Sequence, residues 1–200
     1  MGLPGSAEIV DLHDRLLARA DWSKANPAEP AADDVWSSIE RNHRCNCRLW
    51  VEEDQARRRE VPDSEIAANK RNIDGFNQRR NDAIEKIDES LLALLPAQTR
   101  SEDVRLNSET AGAMIDRLSI LALKTFHMRI QTERRDAGTE HLETSRARLA
   151  RLTEQRADLA GCLDALLADC LAGRARFKVY RQFKMYNDPA FNPYLYSKSR

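Results

Sequence analysis

From Ser64 to Leu95 the chain carries Ile66, Ile73, Phe76, Ile84, Ile87, Leu91 and Leu94 at spacings that return to one face of an α-helix. No proline intervenes before Pro96. A stripe of that period does not suit a pleated strand, whose side chains change sides at every residue. A helix of such length must cover its apolar face, and other long helices are the simplest cover. Only 7 Gly and 7 Pro occur in 200 residues, too few for the turns that many short strands need. The predicted fold class is therefore all-α: an elongated bundle of about five helices with a basic aromatic C-terminal helix and an extended tail. A single helical domain over 1–200 is expected, its first 32 residues being the least determined part.

The other helices follow from the same periodicity and from their stop residues. Ile9, Leu12, Leu16 and Leu17 define a first helix from Ser6 to near Asp21, and Pro27 and Pro30 mark a loop. Asp33 or Asp34 can cap a second helix from Val35 to near Arg59, before the break at Pro62. Asn107 or Ser108 can cap a fourth, from Glu109 to near Arg135, whose middle is apolar on several sides and so belongs at the centre. A fifth runs from Glu140 to Leu171 with Leu142, Leu149, Leu152, Leu159, Leu163, Leu166 and Leu167 as its stripe, and Gly173 closes it. Beyond it Phe177, Tyr180, Phe183 and Tyr186 recur every third residue among basic ones, a spacing that favours packing for the first three. The last dozen residues, with Pro189 and Pro193, read as extended.

Charge excludes some functions. The net formal charge is zero, with 32 basic and 32 acidic residues, but Arg174–Arg200 carries +6 and the preceding residues −6. A global nucleic-acid binder would not cancel in this way. The basic end either binds anions or docks on the acidic body. No run approaches the ~20 uncharged apolar residues of a membrane span, and MGLPGSAEIVDLHDR has neither the basic nor the apolar part of a signal peptide. A cytoplasmic location is expected, with Cys45, Cys47, Cys162 and Cys170 as reduced thiols.

The feature that bears on function is polar residues inside stripes that should be apolar. The second helix aligns Trp36, Ile39, His43, Asn46 or Cys47, and Trp50, then Glu53 and Arg57. The third offers Ile73, Asn77, Arg80 or Asn81, Ile84 and Asp88, and the fourth Asp116, Ser119, Leu123 and His127. Buried polar groups are unfavourable unless paired, so three such lines facing one another make either a satisfied network or a polar pocket. Both remain open on the sequence. In the tail, Lys184, Tyr186 and Asn187 are the more open candidates for an anion, and Arg181 would join Arg80 and Lys184 as anion holders if the chain is an enzyme.

Other chemistries find little support. Glu40-x-x-His43 is half of a di-iron bundle motif, but no second copy exists, so no metal is predicted. Cys45 and Cys47 point to different sides of a helix. There is no Gly-rich phosphate loop and no nucleophile elbow. No cofactor is implied. Without a Rossmann-type domain the chain is not itself expected to be a nucleotide-sugar transferase. Arg80–Arg100 resembles the first helix of all-helical chorismate mutases, but Pro96 falls where that helix would continue.

The segments NHRCNCRLWVEEDQARRR (Asn42–Arg59), IAANKRNIDGFNQRRNDAIEKID (Ile66–Asp88), GAMIDRLSILALKTFHM (Gly112–Met128) and RFKVYRQFKMYNDPAFNPYLY (Arg176–Tyr196) together resemble the bacterial domain-of-unknown-function family 4254. That family carries no assigned activity. Its members are often encoded beside glycosyltransferases, so the resemblance implies a place in lipopolysaccharide or other surface-polysaccharide assembly. The polar pattern it implies falls on Asn42, His43, Asn46, Trp50, Glu53, Asp54 and Arg57. It continues over Asn77, Arg80, Asn81 and Asp82, then Asp116, Arg117, Ser119, Lys124 and His127, and ends on Tyr180, Lys184, Tyr186, Asn187 and Asp188. Ala111-Gly112 departs from it, where a proline is expected. The implied partner is a glycosyltransferase or an anionic sugar ligand. An enzyme acting on a phosphorylated or nucleotide-activated sugar, with His43 and a carboxylate as acid and base, and a purely structural homodimer are the alternatives.

Overall fold

The computed structural model describes residues 2–24, 34–96, 102–183, 185 and 188–196. Its helices are α1 (Ser6–Leu17), α2 (Val35–Gln55), α3 (Asp63–Leu94), α4 (Ala111–Thr132), α5 (Thr139–Leu171) and the single turn α6 (Pro193–Tyr196). Two short strands, β1 (Arg105–Leu106) and β2 (Ala175–Arg176), pair in parallel. The all-α bundle expected from the stripes is the fold observed, and no helix of the described residues is long and apolar enough to cross a membrane.

Helix ends show where local chemistry decides. Asp34 caps α2, its carboxylate accepting from the Ser37 N–H at 2.8 Å. Asp33, the other candidate, lies outside the described residues. Helix α4 starts at Ala111, capped by Thr110, whose hydroxyl accepts from the Ala113 N–H at 3.1 Å. Asn107 does not cap it: it lies before the helix start, its N–H donating to the Arg176 carbonyl at 2.7 Å as the β pairing continues and its Nδ2 to the Glu109 carbonyl at 2.7 Å. Gly173 ends α5 with φ +69° while the Arg174 N–H returns to the Asp169 carbonyl at 2.8 Å. Gly173→Ala is expected to lower stability by about 1 kcal/mol in urea unfolding, since a β-carbon is disfavoured in that backbone region.

Ile9, Ile39, Ile87, Leu91, Ile115, Leu118 and Leu163 are fully buried, drawn from all five long helices. Helix α4 touches each of the other four and holds the expected central place. Its entry against α3 is close. Asp88 of α3, 2% exposed, accepts from the Gly112 N–H at 2.6 Å and from the Thr110 hydroxyl. Burial pushes the Asp88 carboxyl up to about 6 against the pull of those hydrogen bonds. A β-carbon at Gly112 would stand 2.7 Å from the Ile84 carbonyl oxygen and 2.8 Å from Asp88 Oδ1, so only glycine fits.

The C-terminal helix expected from the aromatic spacing does not form. After Gly173 the chain runs as β2 and then without helix or strand through residue 183, and of its aromatic residues with described side chains only Phe177 enters the core, beside Ala175. Tyr180 is 62% exposed and Phe183 87%, so the three-residue spacing marks no buried face. The cause is visible at Arg176, whose side chain donates to the carbonyls of Val104 at 3.0 Å and Glu102 at 3.3 Å and holds the backbone in the strand. The terminal segment, expected to be extended, instead closes the turn α6. Its described cations engage the acidic body: Arg174 with Asp169 at 2.7 Å, Lys178 with Glu102 at 3.7 Å, and Arg181 with Glu85 at 2.7 Å and with Glu89.

Candidate functional site

Three of the polar lines meet where α2, α3 and α4 come together. Asp116 of α4 is 7% exposed, and its Oδ1 accepts from Asn42 Nδ2 at 2.8 Å and Asn46 Nδ2 at 2.9 Å, both from α2. Arg80 of α3 approaches the same oxygen with Nε at 3.8 Å. Asn46 also donates to Ser119 Oγ at 3.0 Å, and Ser119 Oγ lies 2.7 Å from His43 Nδ1. Because Ser119 already accepts from Asn46, its own hydrogen can go to His43 Nδ1, leaving the imidazole proton on Nε2. That nitrogen faces Cys47 Sγ at 3.9 Å.

The inner end of this network is closed to solvent. His43 is fully buried and stacked against His13 of α1 at 4.4 Å and Trp22 at 5.5 Å, with Arg44 held over Trp22. Burial, with the positive charges of Arg156 and Arg44, pushes the His43 imidazole down to about 3, only partly offset by a hydrogen bond to the His13 backbone. His13 is also held well below its ordinary value, chiefly by burial, and neither of its ring nitrogens has a hydrogen-bond partner. The same burial drives the Cys47 thiol up to about 12, so it is an inert thiol rather than a nucleophile.

The outer end opens. A groove of about 310 Å³ is lined by Asn46, Leu49, Trp50, Glu53, Asp54, Arg57, Arg80, Ile120 and Leu123. The half-buried Trp50 lies flat against His127 of α4, ring centres 4.4 Å apart and planes within 1°. Arg57 is occupied by Glu53 at 3.4 Å and Asp54 at 3.8 Å. Arg80 is ion-paired with Asp116 at 3.8 Å, beyond hydrogen-bond reach, and its buried Nε has no hydrogen-bond partner. The site therefore offers an aromatic ring, two carboxylates and a guanidinium with donors to spare.

Other predicted residues stand elsewhere. Asn81 is buried but turns to Gln182 at 2.7 Å, and Arg181 is held by Glu85 and Glu89. Asn77 is half-buried on α3 and Lys124 is exposed on α4, neither lining the groove. Lys184, Tyr186 and Asn187 lie outside the described residues. Glu40, the carboxylate of the half-motif, pairs with Arg44 at 2.8 Å, and no three such side chains gather for a metal among the described residues.

The family model described as "Protein of unknown function (DUF4254)" matches residues 36–179. The chain belongs to that family. No curated protein and no solved structure matches it. The DUF4254 match spans α2 to α5 and both strands, and so contains the groove and the Asp116 network entire. It leaves out α1, which supplies His13 beneath that network, and the exposed tail.

Sequence reasoning missed a second polar cluster in the DUF4254 region. Glu52, 8% exposed, accepts from Asn69 at 2.7 Å and Asn72 at 3.3 Å, joining α2 to α3. Two asparagines three apart inside a helix were the available clue, since asparagine is a poor interior helix former unless it has a partner.

Proposed function

We propose that the protein binds an anionic sugar in the α2–α3–α4 groove, without itself transforming it, in the service of surface-glycan synthesis in the cytoplasm. The observation that carries this reading is Arg80: a guanidinium in the groove wall, backed by Asp116, with hydrogen-bonding capacity unspent. A planar donor fork of that kind suits a phosphate or carboxylate. Trp50 supplies the flat apolar face on which a pyranose ring can lie, and Glu53, Asp54 and Asn46 supply partners for hydroxyls. The pathway is what the family resemblance implies, and the occupant is either the sugar substrate of a glycosyltransferase or that sugar carried to it.

The geometry speaks for binding over catalysis. An acid–base role for His43 requires access, and its ring is sealed beneath His13 and Trp22 and held neutral. A homodimer built on the same polar lines would have to use Trp50, Glu53 and Arg57, because the inner residues are already satisfied within one chain.

Thermal-shift measurements with sugar phosphates and nucleotide sugars test the proposal. At a hundredfold excess over Kd a ligand adds about 2.7 kcal/mol, or a rise of roughly 5–10 °C for a chain of this size. Arg80→Ala is expected to abolish the rise and Trp50→Ala to halve it or more. A panel that moves the melting point of neither the native chain nor the variants would remove the ligand assignment.

A further inference from the structure

We propose that the segment from Tyr180 to Leu195 is a peripheral docking element that seats the protein on an anionic lipid bilayer. The five most exposed large apolar side chains of the described residues all lie in it: Phe183 and Tyr194 at 87%, Tyr180 at 62%, Phe191 at 60% and Met185 at 59%. Leu195 adds a sixth. The change from Phe177, in the core, to Tyr180, in solvent, is abrupt. Apolar exposure concentrated in one stretch of chain marks a surface that is covered by something else.

Charge selects the cover. From Lys178 onward the sequence holds Lys178, Arg181, Lys184, Lys198 and Arg200 against the single acid Asp188. Arg181 is engaged by Glu85 and Glu89 and Lys178 by Glu102, so the attraction falls to Lys184, Lys198 and Arg200, which bracket most of the aromatic residues in the sequence. Residues 1–173 carry −6. An acidic surface therefore repels the body and attracts the tail, which orients the approach tail first. Tyrosine and phenylalanine interleaved with lysine are the residues that settle in a headgroup layer, rings toward the acyl boundary and amines among the phosphates. A bilayer also needs no matching pockets, which suits rings displayed on irregular chain and one helical turn.

Co-sedimentation of the full chain with vesicles tests this independently of the groove. Phosphatidylethanolamine vesicles containing phosphatidylglycerol are expected to pellet the protein at low salt, and phosphatidylcholine vesicles to leave it in solution. Raising the salt should release it. The double variant Phe183→Ser/Tyr194→Ser should lower the partition coefficient by roughly tenfold or more, each exposed ring contributing apolar area on transfer. Its melting point should match the native chain, because both side chains are exposed. The proposal is overturned if the native chain ignores anionic vesicles at low salt, which would assign the segment to a protein partner. Equal binding to neutral vesicles, or a double variant that pellets as well as the native chain, overturns it too.

Discussion

Replacing Gly112 with alanine is expected to lower the unfolding free energy by about 3 kcal/mol, and the melting temperature by roughly 6–12 °C. The added carbon meets a backbone carbonyl at 2.7 Å and a buried carboxylate at 2.8 Å that its hydrogen bond to the Gly112 N–H holds in place. For α4 to retreat, it must lengthen the Gly112–Asp88 hydrogen bond and leave a buried carboxylate short of a donor. Since α4 touches all the other long helices, the retreat spreads through the core. Circular dichroism melting of the single variant is sufficient, and an unchanged melting temperature would show that α4 can slide without loss.

The second large effect is expected on acidification. His43 has its pKa moved from 6.5 to about 3, equivalent to ~5 kcal/mol between the two protonation states. A folded pKa below the unfolded one stabilises the fold above the unfolded value, and that contribution is lost as pH falls. The loss begins near pH 6.5 and continues to about 3. His13 is lowered as well, and protonating either ring places a cation beside Arg156 and the other imidazole. Asp88 acts in the opposite sense: its raised carboxyl favours the fold at low pH, with the gain arriving as pH drops from about 6 toward 3.8. One carboxyl offsets only part of two histidines, so net stability should fall steeply below pH 6. His13→Phe removes a ring whose two nitrogens have no partner. Urea unfolding should find that variant less acid-sensitive and at least as stable at neutral pH. Equal acid sensitivity in variant and native chain would refute this account.

The helices were legible because their evidence is local and repeated. Ile73, Ile87 and Leu91 recur on one face, and no tertiary accident is needed to place them together. The convergence of Asn46, Arg80 and Asp116 was legible in outline, since polar residues inside apolar stripes must find partners and helices of that length must face each other. Which of those residues open to solvent was not. His43 and Asn46 lie one turn-fraction apart on α2, yet one is sealed and the other borders the groove, because His13 and Trp22 arrive from a part of the chain with no polar pattern of its own. The Asp88–Gly112 contact was equally hidden. Ala111-Gly112 stood out only as a departure from an expected proline, and the need for glycine there is a property of α3, not of its neighbours in sequence. The tail misled for the same reason: Tyr180 and Phe183 have the spacing of a packed helix face, but the conformation is dictated by what Arg176 finds across the molecule.

The pairing of β1 with β2 joins Arg105 to Ala175 across the whole length of α4 and α5. Bringing such distant positions together in an unfolded chain loses much loop entropy for very few bonds, so it becomes favourable only after the two helices have zipped side by side. The clasp is then a late event on the folding route. Substitutions at Arg176 or Leu106 should chiefly hasten unfolding and leave the refolding rate nearly untouched.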